Sequence, residues 1–278
     1  MSAGDIRDQM QSDEDAARDD RYYALLDQAL LACARYKPRF GQGSATTVEQ
    51  FQRLYSADPF YQWVGLDSPL MYAAHKAAGG MTSIYRQLGI GGQWILNSIM
   101  RDSQGLSQVQ TAWSYELPVS GGKNRILSLD GRIEPNDIHD VVTRDRVQQW
   151  LAEAEEYLGL DRIARQSLRG AVFEMRQGYK SKDSKRQNAD IANAANAYAA
   201  RYIPVIVLLS CQIDSDLALR YRQSRWLLLT GSLEGPTTES TYAFCREVLH
   251  YDLAAFFHRR SPQIRATMEQ VLATLLSA

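Results

Sequence analysis

Cysteine and histidine are scarce in this chain. Three cysteines (Cys33, Cys211, Cys245) and four histidines (His75, His139, His250, His258) stand among 278 residues. They are scattered without ligand spacing, which argues against a zinc site. The cysteine number is odd and each lies in an apolar pattern, which reads as buried free thiols in a reducing compartment. Long hydrophobic runs are also missing: none approaches the roughly 18 residues of a membrane span. The N-terminus is acidic and polar, unlike a secretory signal, so a cytoplasmic chain with no membrane partner is expected. No Gly-Lys-Ser/Thr follows a Gly-rich loop at the spacing of a Walker motif. There is no internal repeat, low-complexity tract or obvious linker. Net charge is −1, which argues against a generic polyanion binder but leaves room for a specific one.

What is present is an ordinary globular composition, 45% hydrophobic. Residues 1–20 read as a flexible acidic arm, and 21–278 as a single α/β domain, helical over about 21–110 with a sheet core over about 111–230. Helical spacing marks Tyr22–Tyr36, Val48–Tyr55, Pro69–Ala78, Arg146–Leu158, Leu253–Phe257 and Ile264–Leu275. Met81–Arg101 reads as two short helices joined at Gly89–Gly92, a helix-turn-helix in outline. Ser83, Arg86, Gln87, Gln93 and Asn97 there are types that meet phosphates and base edges. A packed helical hairpin with a polar outer face is the preferred reading of the same stretch. Lys37–Gly43 is a cationic Gly-rich loop between helices. Trp113–Val119 and Arg125–Ile133 alternate as a hairpin around Ser120–Asn124.

Charge is unevenly placed. Arg162, Arg165, Arg169, Arg176, Lys180, Lys182, Lys185 and Arg186 are opposed within their stretch only by Glu174 and Asp183. Segregation of this kind fits a cleft that receives a phosphate backbone. Its centre, Gly170–Ile213, reads as strand, basic turn, helix and strand. In an extended chain Val172, Glu174, Arg176, Gly178 and Lys180 share one face. Asp183 or Ser184 can cap a helix whose body is Ala189–Arg201. Val205–Leu209 is apolar on both faces, as in a covered central strand. Carboxylate and cation at adjacent same-face positions supply what metal-assisted phosphodiester cleavage needs. They also make an ordinary salt-bridged pair.

Glu174-Met175-Arg176, with the strand, helix and apolar strand around it, resembles the core of the PD-(D/E)XK nucleases, and among them the type II restriction endonucleases. The resemblance implies a restriction-endonuclease-like fold, α/β with a central mixed sheet of about five strands flanked by helices, and a helical N-terminal region. It implies hydrolysis of double-stranded DNA with Mg²⁺ held by Asp130 and Glu174. Arg176 stands where the family has lysine. Arginine does not deprotonate, so it can serve the phosphate but not act as a base, and Lys180 is the alternative ammonium. The second acid is Asp130, at the end of the returning hairpin strand, or Asp161, read as helix end or loop. The CCGG-reading subgroup carries an acid on the following helix, which here is Asp190. That subgroup reads its site with a basic turn, so Lys182, Lys185, Arg186 and Gln187 are expected at DNA, with Arg86 and Gln93 as further contacts. Cutting a palindrome implies a homodimer. The competing expectation is a nucleic-acid-binding protein on a nuclease-like fold that does not cut.

Overall fold

The computed structural model describes residues 3–37, 39–40, 44–45, 47–118, 124–178 and 184–276. At 3–13, 39–40, 44–45, 117–118, 125 and 184–188 it describes the backbone alone. The chain divides into two compact units, one formed by residues up to Gly91 together with those from Arg260 onward, the other by Gly92–Arg259. A single domain was the expectation from sequence.

In the first unit, helix α1 (Ala3–Leu31) is followed by a 3₁₀ turn, a two-residue strand pair, β1 (Arg39–Phe40) with β2 (Ser44–Ala45), and helices α2 (Val48–Ser56) and α3 (Pro59–Trp63). Helix α4 (Pro69–Gln104) then begins. Residues 3–20, expected as an arm, are the first part of α1. Tyr22, Leu26, Ala29 and Leu30 of α1 are buried, and Cys33 packs with Ile84, Val271 and Leu275. Local sequence sets the short helices. Thr47 and Gln50 form a reciprocal capping box at α2, and Asp58 with Pro59 starts α3.

Helix α4 corrects the two readings that placed breaks at Gly79–Gly80 and Gly89–Gly92, because it runs unbroken through both. A Cβ at Gly79 would collide with the Tyr36 ring; one at Gly80 would lie 3.0 Å from Leu275 Cδ1, and one at Gly91 2.7 Å from Leu26 Cδ1. These glycines let neighbours approach the helix backbone closely, at a propensity cost of about 1 kcal/mol each relative to alanine. The helix-turn-helix outline is therefore absent.

The second unit holds α5 (Gln108–Thr111), β3 (Trp113–Pro118), β4 (Asn124–Leu129), β5 (Gly131–Ile133), α6 (Val141–Tyr157), α7 (Arg162–Ser167) and β6 (Gly170–Arg176). It continues through α8 (Ser184–Ala199), β7 (Tyr202–Leu208), α9 (Ser215–Gln223), β8 (Leu227–Leu229) and α10 (Thr241–Ala243), which runs into a π-helical turn, Phe244–Val248. Helix α11 (Leu253–Leu276) closes the chain and contributes to both units. It is continuous across Pro262, where two segments were expected. Burial of Phe256 before the proline and of Val271 and Leu275 after it offsets the missing hydrogen bond.

The fold is mixed α/β. Strands β5, β6, β7 and β8 form a four-stranded sheet in that order, with β5 antiparallel to β6 and the other pairs parallel. Strands β3 and β4 form a separate hairpin with Trp113 opposite Leu129. The expected returning strand Arg125–Ile133 is thus broken at Asp130, where the chain leaves one partner and takes another. Gly131 permits the switch: a Cβ there would lie 2.7 Å from Met100 Cε and 3.0 Å from Asn97 Oδ1. Helices cover both sheet faces. Val172, Ile206 and Leu208 pack with Ala194, Ala197, Leu217, Tyr221 and Trp226. On the other side, Trp150 of α6 stacks on Phe173, their centroids 6.2 Å apart. Strand β7 is buried along its length, as its apolar run predicts. Cys211, expected buried, is exposed just past the end of β7, while Cys33 and Cys245 are buried. Among the described residues no helix is long and apolar enough to cross a membrane.

Candidate functional site

Alternation along β6 directs Val172, Glu174 and Arg176 to the face covered by α8 and α9. Glu174 is only 6% exposed, and its Oε1 is ion-paired with the Arg176 guanidinium. The same Arg176 Nη2 lies 3.6 Å from Oδ1 of Asp190, a buried residue of α8. Asp190 is fixed from a third direction. Its Oδ2 accepts a 2.6 Å hydrogen bond from the Tyr221 hydroxyl, and its backbone carbonyl accepts one of 3.1 Å from Trp226 Nε1. One guanidinium therefore serves two buried carboxylates from different elements. Burying charges is tolerable only with such pairing and hydrogen bonding. The cluster stands at the C-terminal end of the parallel strands β6 and β7, the edge where open α/β sheets place their ligands.

Asp130 stands at the bend between β4 and β5, one residue before the strand that pairs with β6. Gly131 opposes Phe173, so one step back along the chain sets Asp130 beside Glu174. Its N–H donates to the Phe173 carbonyl (2.8 Å), and its Oδ2 accepts from the Met175 N–H (2.8 Å). Its own carbonyl accepts from Asn97 Nδ2 (2.8 Å). Asn97, read as a base-contacting type, is thus engaged inside the protein. Asp161 stands elsewhere and caps α7, accepting from the Ala164 N–H at 2.8 Å. Lys180 and Lys182 lie outside the described residues. Lys185, Arg186 and Gln187 belong to the first turn of α8. Of the remaining expected contacts, Arg86 is exposed on α4 in the first unit, and Gln93 is part-buried on α4 in the second. The Gly-rich loop falls largely outside the described residues, at 38 and 41–43.

Sequence reasoning missed Tyr221 and Trp226. Both stand more than 30 positions from Asp190, and the only local signal was Leu217 and Tyr221 at helical spacing in a polar stretch. It also missed a second ion cluster, built on the buried Glu134, at the opposite end of the sheet. There Glu134 accepts from Arg169 Nε (3.0 Å) and Nη2 (3.2 Å) and from the Tyr202 hydroxyl (2.8 Å). Burial, then the bond to Glu134, pushes the Tyr202 phenol pKa up. A pocket of about 330 Å³ adjoins it, lined in part by Arg169, Arg201, Glu155, Gln148 and Gln166.

The donor chemistry of Asp130, Glu174 and Asp190 suits a hard divalent cation such as Mg²⁺, which takes one or two carboxylates and keeps several waters. Among the described residues no three acidic, histidine or cysteine side chains stand together as a ready metal cage, and the guanidinium takes the place between Glu174 and Asp190. The residues fit the ion in kind, with Arg176 as its competitor. Compared with models of known protein families, with curated proteins and with solved structures, the chain matches none.

Proposed function

We propose that the chain is a Mg²⁺-dependent endodeoxyribonuclease of the restriction-endonuclease-like kind, site-specific and acting on duplex DNA as a homodimer. The observation that carries the reading is Arg176 flanked by Glu174 and Asp190 at the C-terminal edge of the sheet, with Asp130 at the bend before β5, hydrogen-bonded to the β6 backbone. That is the acid, cation and second-acid set of the PD-(D/E)XK pattern, followed by a helix that opens on Lys185 and Arg186.

In this reading each side chain has its own role. Arg176, permanently charged, holds the scissile phosphate and stabilises charge that develops on it. Glu174 and Asp130 hold the cation, which when bound polarises the phosphate and acidifies a water. Asp190, held by Tyr221, pairs with Arg176 while no cation is bound and is a further carboxylate for the cation beside Glu174 once Arg176 has moved to the phosphate. Lys185 and Arg186 neutralise backbone phosphates.

The test is incubation of a mixed-sequence plasmid with the protein and Mg²⁺ or Mn²⁺, read on a gel. Discrete fragments, lost with Glu174→Gln, support the proposal; an intact plasmid across pH and metals overturns cleavage. The second reading, a nucleic-acid-binding protein that does not cut, is favoured by one observation: the cation at the lysine position is an arginine already neutralised by two carboxylates. Under that reading duplex binds equally with and without Mg²⁺ and stays whole.

A further inference from the structure

The three charged groups of the cluster differ in how far solvent reaches them. The side chain of Arg176 is 22% exposed, that of Glu174 8% and that of Asp190 3%. The acids are enclosed, and the guanidinium is the member that a molecule arriving from solvent meets. Arg176 satisfies both acids together, so a divalent cation and the guanidinium are rivals for one pair of carboxylates. Like charges at this range repel strongly in a poorly solvated site. A lysine or histidine in this place can leave the acids by losing its proton. Arginine cannot, so deprotonation does not release it from the acids. What draws a guanidinium away is another anion able to take its paired N–H groups, and a phosphodiester is well matched to that fork.

We infer that Arg176 is an internal counter-ion that keeps the Glu174 and Asp190 carboxylates from a divalent cation until a phosphodiester draws it off, so that cation and nucleic acid each strengthen the other's binding. The inference deepens the proposed function and rests on that reading for the identity of the phosphodiester. Competition between Arg176 and a cation stands without it. Coupling of this kind is reciprocal: whatever factor duplex adds to cation affinity, the cation adds to duplex affinity. Tyr221 contributes by anchoring Asp190. When Arg176 turns outward, the acid stays in place to receive the cation.

Two measurements on the full chain test it. In the first, without nucleic acid, Mn²⁺ binding is followed by the electron paramagnetic resonance of the free ion for wild type and Arg176→Met. The variant is expected to bind Mn²⁺ at least about tenfold more tightly; equal affinity overturns the inference. Should the variant fold only with metal, its circular dichroism titrated with Mn²⁺ gives the same answer. In the second, anisotropy of a labelled mixed-sequence duplex is measured with Ca²⁺ or with Na⁺ at matched ionic strength. Wild type is expected to bind between roughly 5- and 150-fold more tightly with Ca²⁺, and Arg176→Met is expected to lose that factor. Duplex binding indifferent to Ca²⁺ overturns the coupling and leaves the nucleic-acid reading standing. Absence of any duplex binding overturns the proposed function, and the Mn²⁺ comparison then decides the role of Arg176 alone. Should Arg176→Met fail to fold under any condition, the wild-type Ca²⁺ dependence decides.

Discussion

Tyr221 and Asp190 share a short hydrogen bond, 2.6 Å from phenolic oxygen to Oδ2, with both residues buried at 0% and 2% exposure. An acceptor that is charged and shut away from water depends on such a donor. Removing the hydroxyl by Tyr221→Phe leaves ring packing intact and withdraws one hydrogen bond from a buried carboxylate. The expected loss is about 1.5–3 kcal/mol, the range for a hydrogen bond to a charged group. Urea unfolding checks it: the midpoint should fall with the slope unchanged. A loss below about 0.5 kcal/mol, the lower end for an ordinary hydrogen bond, would show that the bond carries no net stability.

Gly170 and Gly79 make a paired prediction about close approach. A Cβ at Gly170 would collide with the backbone carbonyl of Ile133, where β5 and β6 meet, and backbone there has nowhere to go. A Cβ at Gly79 would meet the ring of Tyr36, a side chain able to turn aside. Gly170→Ala is therefore expected to cost more than about 2 kcal/mol, at the upper end of overpacking effects. Gly79→Ala should cost less, since alanine regains about 1 kcal/mol of helix propensity. Thermal or urea unfolding of the two variants orders them, and the reverse order would contradict the packing described for both sites.

These glycines also mark where sequence stopped being informative. Strand β6 was legible because Glu174 and Arg176 alternate with apolar residues, and β7 because its apolar run is short and bounded. The capping residue Thr47 announced α2, whereas α3, which Asp58 and Pro59 start, was not foreseen, because that pair read as the end of α2. Glycine, however, has two uses, ending a helix or admitting a neighbour, and the difference lies in Tyr36, Leu275 and Leu26, which are remote in the chain. The same limit hid the break at Asp130, where local alternation continues while the pairing partner changes from β3 to β6. It hid the Asp190–Tyr221 bond as well, because hydrogen bonds across 31 positions leave no periodicity.

His250 supplies a pH dependence whose sign follows from its partner. Arg146 Nη1 lies 2.7 Å from His250 Nε2; arginine can only donate, so Nε2 accepts and the imidazole is neutral. Burial first, and the Arg146 charge second, hold its pKa below the ordinary 6.5. The unfolded chain therefore takes up this proton at higher pH than the folded one. The contribution of His250 is fully present above about 6.5 and is lost as pH falls through that value towards the lowered folded pKa. His250→Asn, which tolerates the residue's φ of 50°, should flatten this part of the profile. The check is the urea midpoint of both proteins from mildly alkaline to mildly acidic pH. Parallel profiles would contradict a neutral, Arg146-bonded His250.

Under the proposed function, the acids Glu174, Asp190 and Asp161 should separate in a cleavage assay because their carboxylates are engaged differently. Asp161 caps α7, and asparagine caps as well as aspartate, so Asp161→Asn should leave cleavage within about twofold of wild type and stability nearly unchanged. Glu174→Gln and Asp190→Asn keep size and some hydrogen bonding but remove the charges that flank Arg176. Each is expected to lower Mg²⁺-dependent cleavage by roughly 10²–10³-fold, the scale of losing one electrostatic group at a reacting centre. Stability decides whether such a loss is catalytic or structural. With one acid neutral, Arg176 still pairs with the other, so both variants should stay folded at room temperature by circular dichroism. Cleavage lost with the fold intact assigns the pair to the chemistry, whereas loss with Asp161→Asn alone would move the acidic centre to the start of α7.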